Sequence, residues 1–286
     1  MIRQHHRITS ILALSATAVA LLVAGCGGSS SSGRAGGTTI QRAAYVSPSG
    51  AGYQIAMKVT GTAAGHTVNL TGTGAFNQAA HAGRLTMNLR LPTLGSNNVQ
   101  IDSVILGTDV YLKLPASIAG NVPGGKPWLE LNLSEVSRSV GIQGLSLADG
   151  PGESPAHLVA LLRSASTAGV QNLGRQTIDG FSTTGSRATI DLSKAVDTLP
   201  ASERATASSA LASIEKLTGL HYLPVTAWVD SSGHVRRIVL SETGSVEGQP
   251  FSETVQLDFA KYGPEPVPAA PRADQVTDVT SLLGAH

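Results

Sequence analysis

Residues 84–91 read RLTMNLRL, and this stretch decides the class of fold. Leu85, Met87 and Leu89 occupy alternate positions along it, and the residues between them are polar. A period of two is typical of a half-buried antiparallel strand with one dry face and one wet face. The stretch therefore predicts a strand that turns its apolar side chains toward an interior.

The same alternation recurs in other segments, which short glycine-containing breaks separate. The breaks at 61–65 (GTAAG) and 230–233 (DSSG) are typical of hairpin connections. Together with weaker segments, the pattern predicts about eleven strands. The clearest of the others cover residues 53–60, 99–105, 110–114, 129–133 and 254–259.

Two helices are expected among these strands. The Ser-Pro pair at 154–155 is a good N-cap and N1 combination for a first helix that continues to about residue 166. A second helix covers about 202–218 and ends at Gly219, a typical C′ residue. A shorter turn at 192–199 precedes it. Two helices are too few to cover about eleven strands. The sheet therefore either curls and fills its own interior or leaves an apolar cavity.

The first residues are typical of an exported protein with a lipid anchor. A basic segment containing Arg3 and Arg7 precedes an apolar run at 8–24, which is the pattern of a secretory signal. The run leads into LVAGC, and Cys26 in this stretch is the one cysteine of the sequence. LVAGC resembles the bacterial lipobox. The resemblance implies that Cys26 is lipidated and anchors the chain to the extracytoplasmic face of the cell membrane.

The composition divides the chain into four parts. Residues 1–25 are the expected lipoprotein signal peptide, and residues 26–39 are the lipidated cysteine and a Gly/Ser tether with nothing to bury. Residues 40–263 are expected to form the folded domain. The proline-rich stretch PEPVPAAP opens the last part, residues 264–286, and is expected to end the regular structure before a short tail.

The charge balance excludes one class of partner. Without Arg3 and Arg7 the chain has 18 basic residues against 19 acidic ones. No basic excess is left to bind nucleic acid.

With a single cysteine, the chain has neither a disulfide framework nor a cysteine zinc cluster. No cofactor is expected.

The sequence contains two near-matches to functional motifs, and a proline excludes each of them. Residues 120–127, GNVPGGKP, contain G-x-x-x-x-G-K, but Pro127 stands where a P-loop needs Ser or Thr, and a strand follows instead of a helix. Residues 152–156, GESPA, are similar to the serine hydrolase turn. There Pro155 has no N–H to donate to an oxyanion hole. Ser154 is therefore interpreted as a helix cap.

The remaining ionisable residues form no catalytic or metal-binding pattern. The histidines show no H-x-H or H-E-x-x-H spacing. We expect Asp230 to be a solvated turn residue and Glu242 to be solvated near a loop. Glu130 and Asp258 are placed on outer strand faces. No metal site and no enzymatic activity are expected.

Three stretches together resemble a known family. They are GKPWLELNLS at 125–134, NLGRQTIDG at 172–180 followed by a strand at 182–190, and LPVTAWVD at 223–230 followed by GHVRR at 233–237. With the lipobox, they are similar to the LolA-like, LppX/LprG-type lipoproteins of actinobacteria. The resemblance implies an α+β fold: a curled antiparallel sheet of about eleven strands, an incomplete β-barrel, with two or three helices against its concave face.

In that family the space between sheet and helices can hold acyl chains. The resemblance thus implies a membrane-anchored lipoprotein that binds an acylated lipid or lipoglycan in an apolar cavity, as a carrier or a sensor. The alternative is a protein-interaction or sensory module of the cell envelope with a filled core and no ligand. A cavity and a plain core would use the same inward side chains. The predicted lining is Leu85, Met87, Leu89, Ile101, Ile105, Leu112, Leu131, Leu158, Leu162, Val255 and Leu257.

Overall fold

One twelve-stranded sheet dominates the structure, which is a computed structural model. The structure describes residues 39–46, 52–63, 66–90, 98–115, 124–135, 162–166, 168–197, 219–246 and 249–280, with individual helical residues between 204 and 215. The strands are β1 (Gly52–Ala63), β2 (His66–Asn77), β3 (Ala82–Arg90), β4 (Asn98–Leu106), β5 (Asp109–Lys113), β6 (Trp128–Asn132), β7 (Gln171–Ile178), β8 (Phe181–Asp191), β9 (Tyr222–Asp230), β10 (Val235–Val246), β11 (Gln249–Tyr262) and β12 (Val276–Asp278).

Two meanders join to form this sheet. The strand order is β12-β6-β5-β4-β3-β2-β1-β11-β10-β9-β8-β7, so β1 to β6 form one half and β7 to β11 the other. The halves meet where β1 pairs antiparallel with β11. The sheet is open and curled, with β7 and β12 at its two edges. The predicted incomplete barrel is confirmed.

The two faces of the sheet differ in polarity. On β1, Ile55 and Val59 are buried, whereas Lys58 between them is exposed. We call the face that carries Ile55 and Val59 the inner face, together with the cross-strand partners of these residues. Ile55 pairs with Phe259 of β11, which is also buried. The inner face therefore carries the core.

Short helical elements cover part of the inner face. They are α1 (Thr39–Val46), α2 (Leu192–Asp197) and a 3₁₀ turn at Leu162–Ser164. Ile40 and Leu162 are fully buried and belong to the same core cluster as the inner-face side chains of β8 to β11. Gln41 Nε2 also donates a hydrogen bond to the carbonyl of Ala165, at 2.9 Å. The N-terminal helix and the 3₁₀ turn are thus fixed to each other.

The helices differ from the sequence prediction in two places. The first predicted helix does not continue to residue 166, because Leu162–Ser164 is a 3₁₀ turn and Ala165 forms a β-bridge with Ile190. The rest of that helix, with its Ser154 cap, lies outside the described residues. No helix is predicted at residues 39–46, which span the end of the tether and the start of the domain, but the structure forms α1 there. Its signal is the spacing of Ile40 and Ala43, one helical turn apart on the buried side.

The other helical predictions agree with the structure where it describes them. Helix α2 lies within the predicted turn at 192–199. Arg204, Leu211 and Glu215 are helical, as the prediction for 202–218 requires. The N–H of Gly219 donates to the carbonyl of Glu215 at 2.8 Å, and Gly219 has a φ of +71°. A glycine in this left-handed conformation is typical of a helix C-terminus.

Regular structure does not end at residue 263. Glu265 is buried, and its carboxylate accepts a hydrogen bond from Gln54 Nε2 at 2.8 Å. A 3₁₀ turn at Ala273–Gln275 follows, and β12 then pairs in parallel with β6. The prolines cannot donate ladder hydrogen bonds, but the valines and threonines after them can, which explains the twelfth strand. The predicted boundary after residue 263 therefore separates two parts of one sheet.

Candidate functional site

The predicted lining residues on the described strands share the inner face of the sheet. Met87 pairs with Gly72 of β2 on one side and with Ile101 of β4 on the other. Gly72 pairs in turn with Met57, and Met57 with Leu257. One continuous row therefore crosses five strands on the same side of the sheet. The residues placed on this face are Leu85, Met87, Leu89, Ile101, Ile105, Leu112, Leu131, Val255 and Leu257.

Two predicted lining residues come from outside the sheet. Leu162 lies in the 3₁₀ turn and is fully buried in the core cluster that includes Val255 and Leu257. Leu162 is therefore part of the core that covers the inner face. Leu158 lies outside the described residues.

The predicted lining residues differ in burial between β11 and the strands β3 to β6. Val255 and Leu257 on β11 are 6% and 2% exposed, as in a closed core. On β3 to β6 the predicted residues are only half-buried. We call this half-buried set the apolar wall. It consists of Leu85, Met87, Leu89, Ile101, Ile105, Leu112 and Leu131.

Two glycines on β2 shape the region between the wall and the core. Gly72 and Gly74 are inner-face residues, so β2 has no side chain at two successive inward positions. A Cβ at Gly74 would lie 3.1 Å from Cδ1 of Leu85 and 3.1 Å from Cε2 of Phe76. Strand glycines commonly mark a close approach to the backbone. Here Leu85 of β3 and Phe76 of β2 itself occupy the space above Gly74. The sequence signal is the alternation of glycine and threonine in TGTG at 71–74.

Two carboxylates also lie on the inner face. Glu242 of β10 pairs directly with Glu253 of β11, and the two side chains are 6% and 9% exposed. Their neighbours along the strands, Leu240 and Val255, are buried apolar residues. Glu253 Oε1 is buried without a hydrogen-bond partner. Burial raises the pKa of Glu242 to about 7, and burial together with the charge of Glu242 raises the pKa of Glu253 to about 7.

The expectation that Glu242 is solvated is wrong. Its position near a loop suggested exposure, but the strand continues to Val246, so Glu242 remains within the sheet. The sequence did contain a signal for its partner. Glu253 falls in the alternating series of Phe251, Val255 and Leu257, and the period of two places it inward with them.

The three other acidic residues considered in the sequence have local partners; they are Asp230, Asp258 and Glu130. Asp230 begins a turn as predicted, but its side chain is only 7% exposed rather than solvated, and Arg236 Nε donates to its Oδ2 at 2.7 Å. On the outer face, Arg237 pairs with Asp258. Tyr111 donates a hydrogen bond to Glu130, and burial together with this bond raises the pKa of Tyr111 to about 12.

The glycine-rich stretch of residues 120–127 leads into a strand. Gly124 and Gly125 have positive φ angles of 84° and 60°, and β6 begins at Trp128. Lys126 Nζ donates to the carbonyl of Val276 at 2.8 Å. The lysine of the near-match therefore holds the C-terminal strand. The part of this stretch before Gly124 is not described.

The predicted lipid anchor lies outside the described residues, which can be searched for membrane helices and metal clusters. The signal peptide, Cys26 and the tether up to residue 38 lie outside the described residues. Within the described ranges, no helix is both long enough and apolar enough to cross a bilayer. The same ranges contain no cluster of three His, Cys, Asp or Glu side chains arranged to hold a metal ion.

Comparison with known proteins finds similarity at the level of structure. No protein-family model matches the chain, and no curated protein sequence matches it. The crystal structure of Mycobacterium tuberculosis lipoprotein LppX is similar, with 17% identity and a TM-score of 0.45, over 81% of this chain and 96% of that one. LprF from Mycobacterium bovis is similar with 17% identity and a TM-score of 0.43, over 81% and 94%. LppX, one of the lipoproteins that name the predicted family, is thus among the solved structures similar to this chain.

Proposed function

We propose that this protein binds a hydrophobic, acylated ligand on the inner face of its sheet. The observation that carries the proposal is the incomplete burial of the apolar wall. Seven large apolar side chains on β3 to β6 share one face and are all half-buried, whereas Val255 and Leu257 on the same face of β11 are closed off. Contiguous apolar surface that a fold leaves partly open is characteristic of ligand grooves.

The wall suits chains better than rings or charged groups. Its side chains are leucine, isoleucine and methionine, which offer aliphatic surface without donors or acceptors. Burial of aliphatic surface contributes roughly 25 cal/mol per Å². Binding of an acyl chain would complete the burial that folding leaves unfinished. Ligand affinity would then depend on shape and area, without a recognition motif in the sequence.

The lipid anchor belongs to the same proposal. Cys26 and the lipobox-like sequence before it support a chain attached to the extracytoplasmic face of the cell membrane. More than one acyl chain is normally needed for stable anchoring, and a lipidated N-terminal cysteine carries more than one. Metabolic labelling with a radioactive fatty acid tests this part. The label should enter the natural chain and be absent from Cys26→Ala.

Lipid extraction tests ligand binding. The chain with Cys26→Ser is purified, so that acyl groups of the anchor do not contaminate the extract, and bound lipids are identified by mass spectrometry. Met87→Glu places a charge on the apolar wall, and Asn88→Glu places the same charge on the exposed side of the same strand. We expect lipid in the parent and in Asn88→Glu, and its loss from Met87→Glu.

Two outcomes would contradict the proposal. If the parent chain carries no lipid and binds no neutral apolar dye, the inner face is only a core. The protein-interaction module expected as the alternative would then be favoured. If Met87→Glu and Asn88→Glu retain equal amounts of lipid, the ligand lies elsewhere.

A further inference from the structure

A buried acidic pair lies on the same face as the apolar wall and has no evident structural role. Glu242 and Glu253 are directly opposite each other on β10 and β11. Directly opposite residues of an antiparallel pair have their Cβ atoms about 5 Å apart, and like charges at this separation destabilise the sheet. None of the ion pairs among the described residues includes either carboxylate.

An unsatisfied oxygen in this pair points to a missing partner. Glu253 is more than nine-tenths buried, and its Oε1 accepts no hydrogen bond. A buried acceptor that stays unsatisfied costs about 1–3 kcal/mol, and more when it is charged. An unsatisfied buried group in a native structure calls for an explanation, and a bound cation is one. The other buried carboxylates that the structure describes, Asp230 and Glu265, both have donors.

The acidic pair and the apolar wall are separated by only a few strands on the inner face. Glu253 pairs with Gly61 of β1, so the neighbouring strand places no side chain beside the carboxylate on the inner face. One step along the same strands, Val255 begins a row that passes through Val59 and Leu70 to Leu89 of the apolar wall. That row crosses three strand spacings of about 4.8 Å each, roughly 14 Å. A single amphiphile can therefore span both features.

We propose that Glu242 and Glu253 bind the ammonium head group of an amphiphilic ligand whose chain lies on the apolar wall. This inference rests on the proposed function and specifies the chemistry of its ligand. An ammonium group supplies the positive charge that the pair lacks, and it donates three hydrogen bonds. A divalent metal ion fits less well, because calcium takes six to eight oxygen ligands and the described residues provide no third acidic or histidine ligand.

The two carboxylates act together in this site. No ion pair among the described residues offsets their charge. In keeping with this, burial raises the pKa of Glu242 to about 7, and burial together with the charge of Glu242 raises the pKa of Glu253 to about 7. A bound ammonium group would offset that charge and occupy Glu253 Oε1. A neutral head group with the same chain would use only the apolar wall. The difference in affinity between the two ligands therefore measures the contribution of the pair.

Equilibrium dialysis separates these contributions. The full chain in non-ionic micelles is dialysed at pH 8 against empty micelles of the same detergent, with radiolabelled dodecylamine or dodecanol. We expect dodecylamine to bind about 30-fold more tightly than dodecanol, or more, as for a buried charge pair. Glu253→Gln and the double variant Glu242→Gln/Glu253→Gln should lose this preference but still bind dodecanol. The exposed control, Glu135→Gln, should keep the preference.

Each result has a defined meaning. If dodecanol binds and dodecylamine binds no better, the inference is overturned and the proposed function stands. If the preference persists in both Gln variants, the amine binds elsewhere and the inference is also overturned. If neither compound binds to the unaltered chain, both proposals fail. Since glutamine has nearly the shape of glutamate, thermal unfolding of each variant confirms that a lost preference does not reflect a lost fold.

Discussion

Lys126 Nζ donates a hydrogen bond to the backbone carbonyl of Val276, at a distance of 2.8 Å. The bond joins the turn before β6 to β12 at the edge of the sheet. Beyond it, the N–H of Val279 donates to the carbonyl of Glu130 at 3.0 Å. The lysine therefore reinforces a short parallel pairing that has three residues on each side.

Replacement of Lys126 by methionine should loosen this edge. Methionine keeps the aliphatic stem and removes the charged donor, so the carbonyl of Val276 loses a bond. We expect the free energy of unfolding to fall by about 1.5 kcal/mol in urea titrations, and amide exchange at Val279 to accelerate. Lys58→Met, at an exposed site on the outer face, is the control. Equal effects of the two substitutions would show that the bond stabilises nothing.

The sequence predicted the features that depend on local pattern. Alternation of apolar and polar residues placed Leu85, Met87 and Leu89 on one face, and glycine placed the end of the helix at Gly219. Both patterns depend only on residues that are close in the sequence, and therefore the folded chain shows the structure that they predict. The hairpins that resemble the LolA-like family, β7–β8 and β9–β10, also follow from local signals.

The failures come from contacts between distant residues. Glu242 is buried because it lies on the inner face directly opposite Glu253 of the next strand. Ala165 leaves the helical pattern because it meets Ile190 of β8. Strand β12 exists because β6, far away in the sequence, presents a free edge. In each case tertiary pairing overrides local propensity.

Gly83 has no room for a side chain. It pairs with Phe76 across β2 and β3, and a Cβ at Gly83 would lie 2.8 Å from Cε1 of that ring. Gly83→Ala should destabilise the protein by about 2–3 kcal/mol in chemical denaturation, because Phe76 must leave its position in the core. Gly61→Ala should cost less, since its Cβ would meet nothing closer than the Ser252 carbonyl at 3.2 Å.

A second substitution tests the cause of that loss. Phe76→Ala removes all the ring atoms that a Cβ at Gly83 would strike. The double variant should therefore be more stable than the sum of the two single effects, with a coupling of about 1 kcal/mol or more. Additive effects would place the strain somewhere other than the ring.

Arg236 and Asp230 form a buried ion pair next to an aromatic ring. Both side chains are less than one-tenth exposed, and the Arg236 guanidinium carbon lies 3.5 Å from the centre of the Phe181 ring. Burial opposes the ionisation of Asp230, but hydrogen bonds from Arg236 and from the backbone N–H groups of His234 and Ser232 outweigh it and lower the pKa of Asp230. Arg236→Met should cost about 3 kcal/mol at pH 7, because it leaves Asp230 buried without its cation.

The cost of Arg236→Met should depend on pH. A carboxylate with a lowered pKa stabilises the fold above its unfolded pKa, and this contribution disappears as the pH falls through its folded pKa. The difference in unfolding free energy between the parent and Arg236→Met should therefore shrink from pH 7 to pH 3. Arg187→Met, at an exposed position on β8, should show no such change. A deficit of the same size at both pH values would attribute the loss to packing against Phe181.

The Glu242–Glu253 pair should make the free energy of unfolding depend on pH in the opposite direction to Asp230. The pKa of each carboxyl group is about 7 in the folded chain and ordinary in the unfolded chain, so the folded state binds more protons between the two values. The free energy of unfolding must fall as the pH rises through this interval, from about 4.5 to 7. Each unit of difference in pKa corresponds to about 1.4 kcal/mol per group at most.

Urea titrations from pH 4.5 to pH 8 measure this slope. We expect Glu242→Gln/Glu253→Gln to unfold with a flatter dependence on pH and to be more stable than the parent at pH 8, because it carries no buried charge there. Glu135→Gln, which alters an exposed carboxylate, should follow the parent curve. A parent whose stability does not fall between pH 4.5 and 7 would mean that the pair finds a cation within the free protein. In that case the inner face would have no uncompensated charge with which to bind an ammonium group.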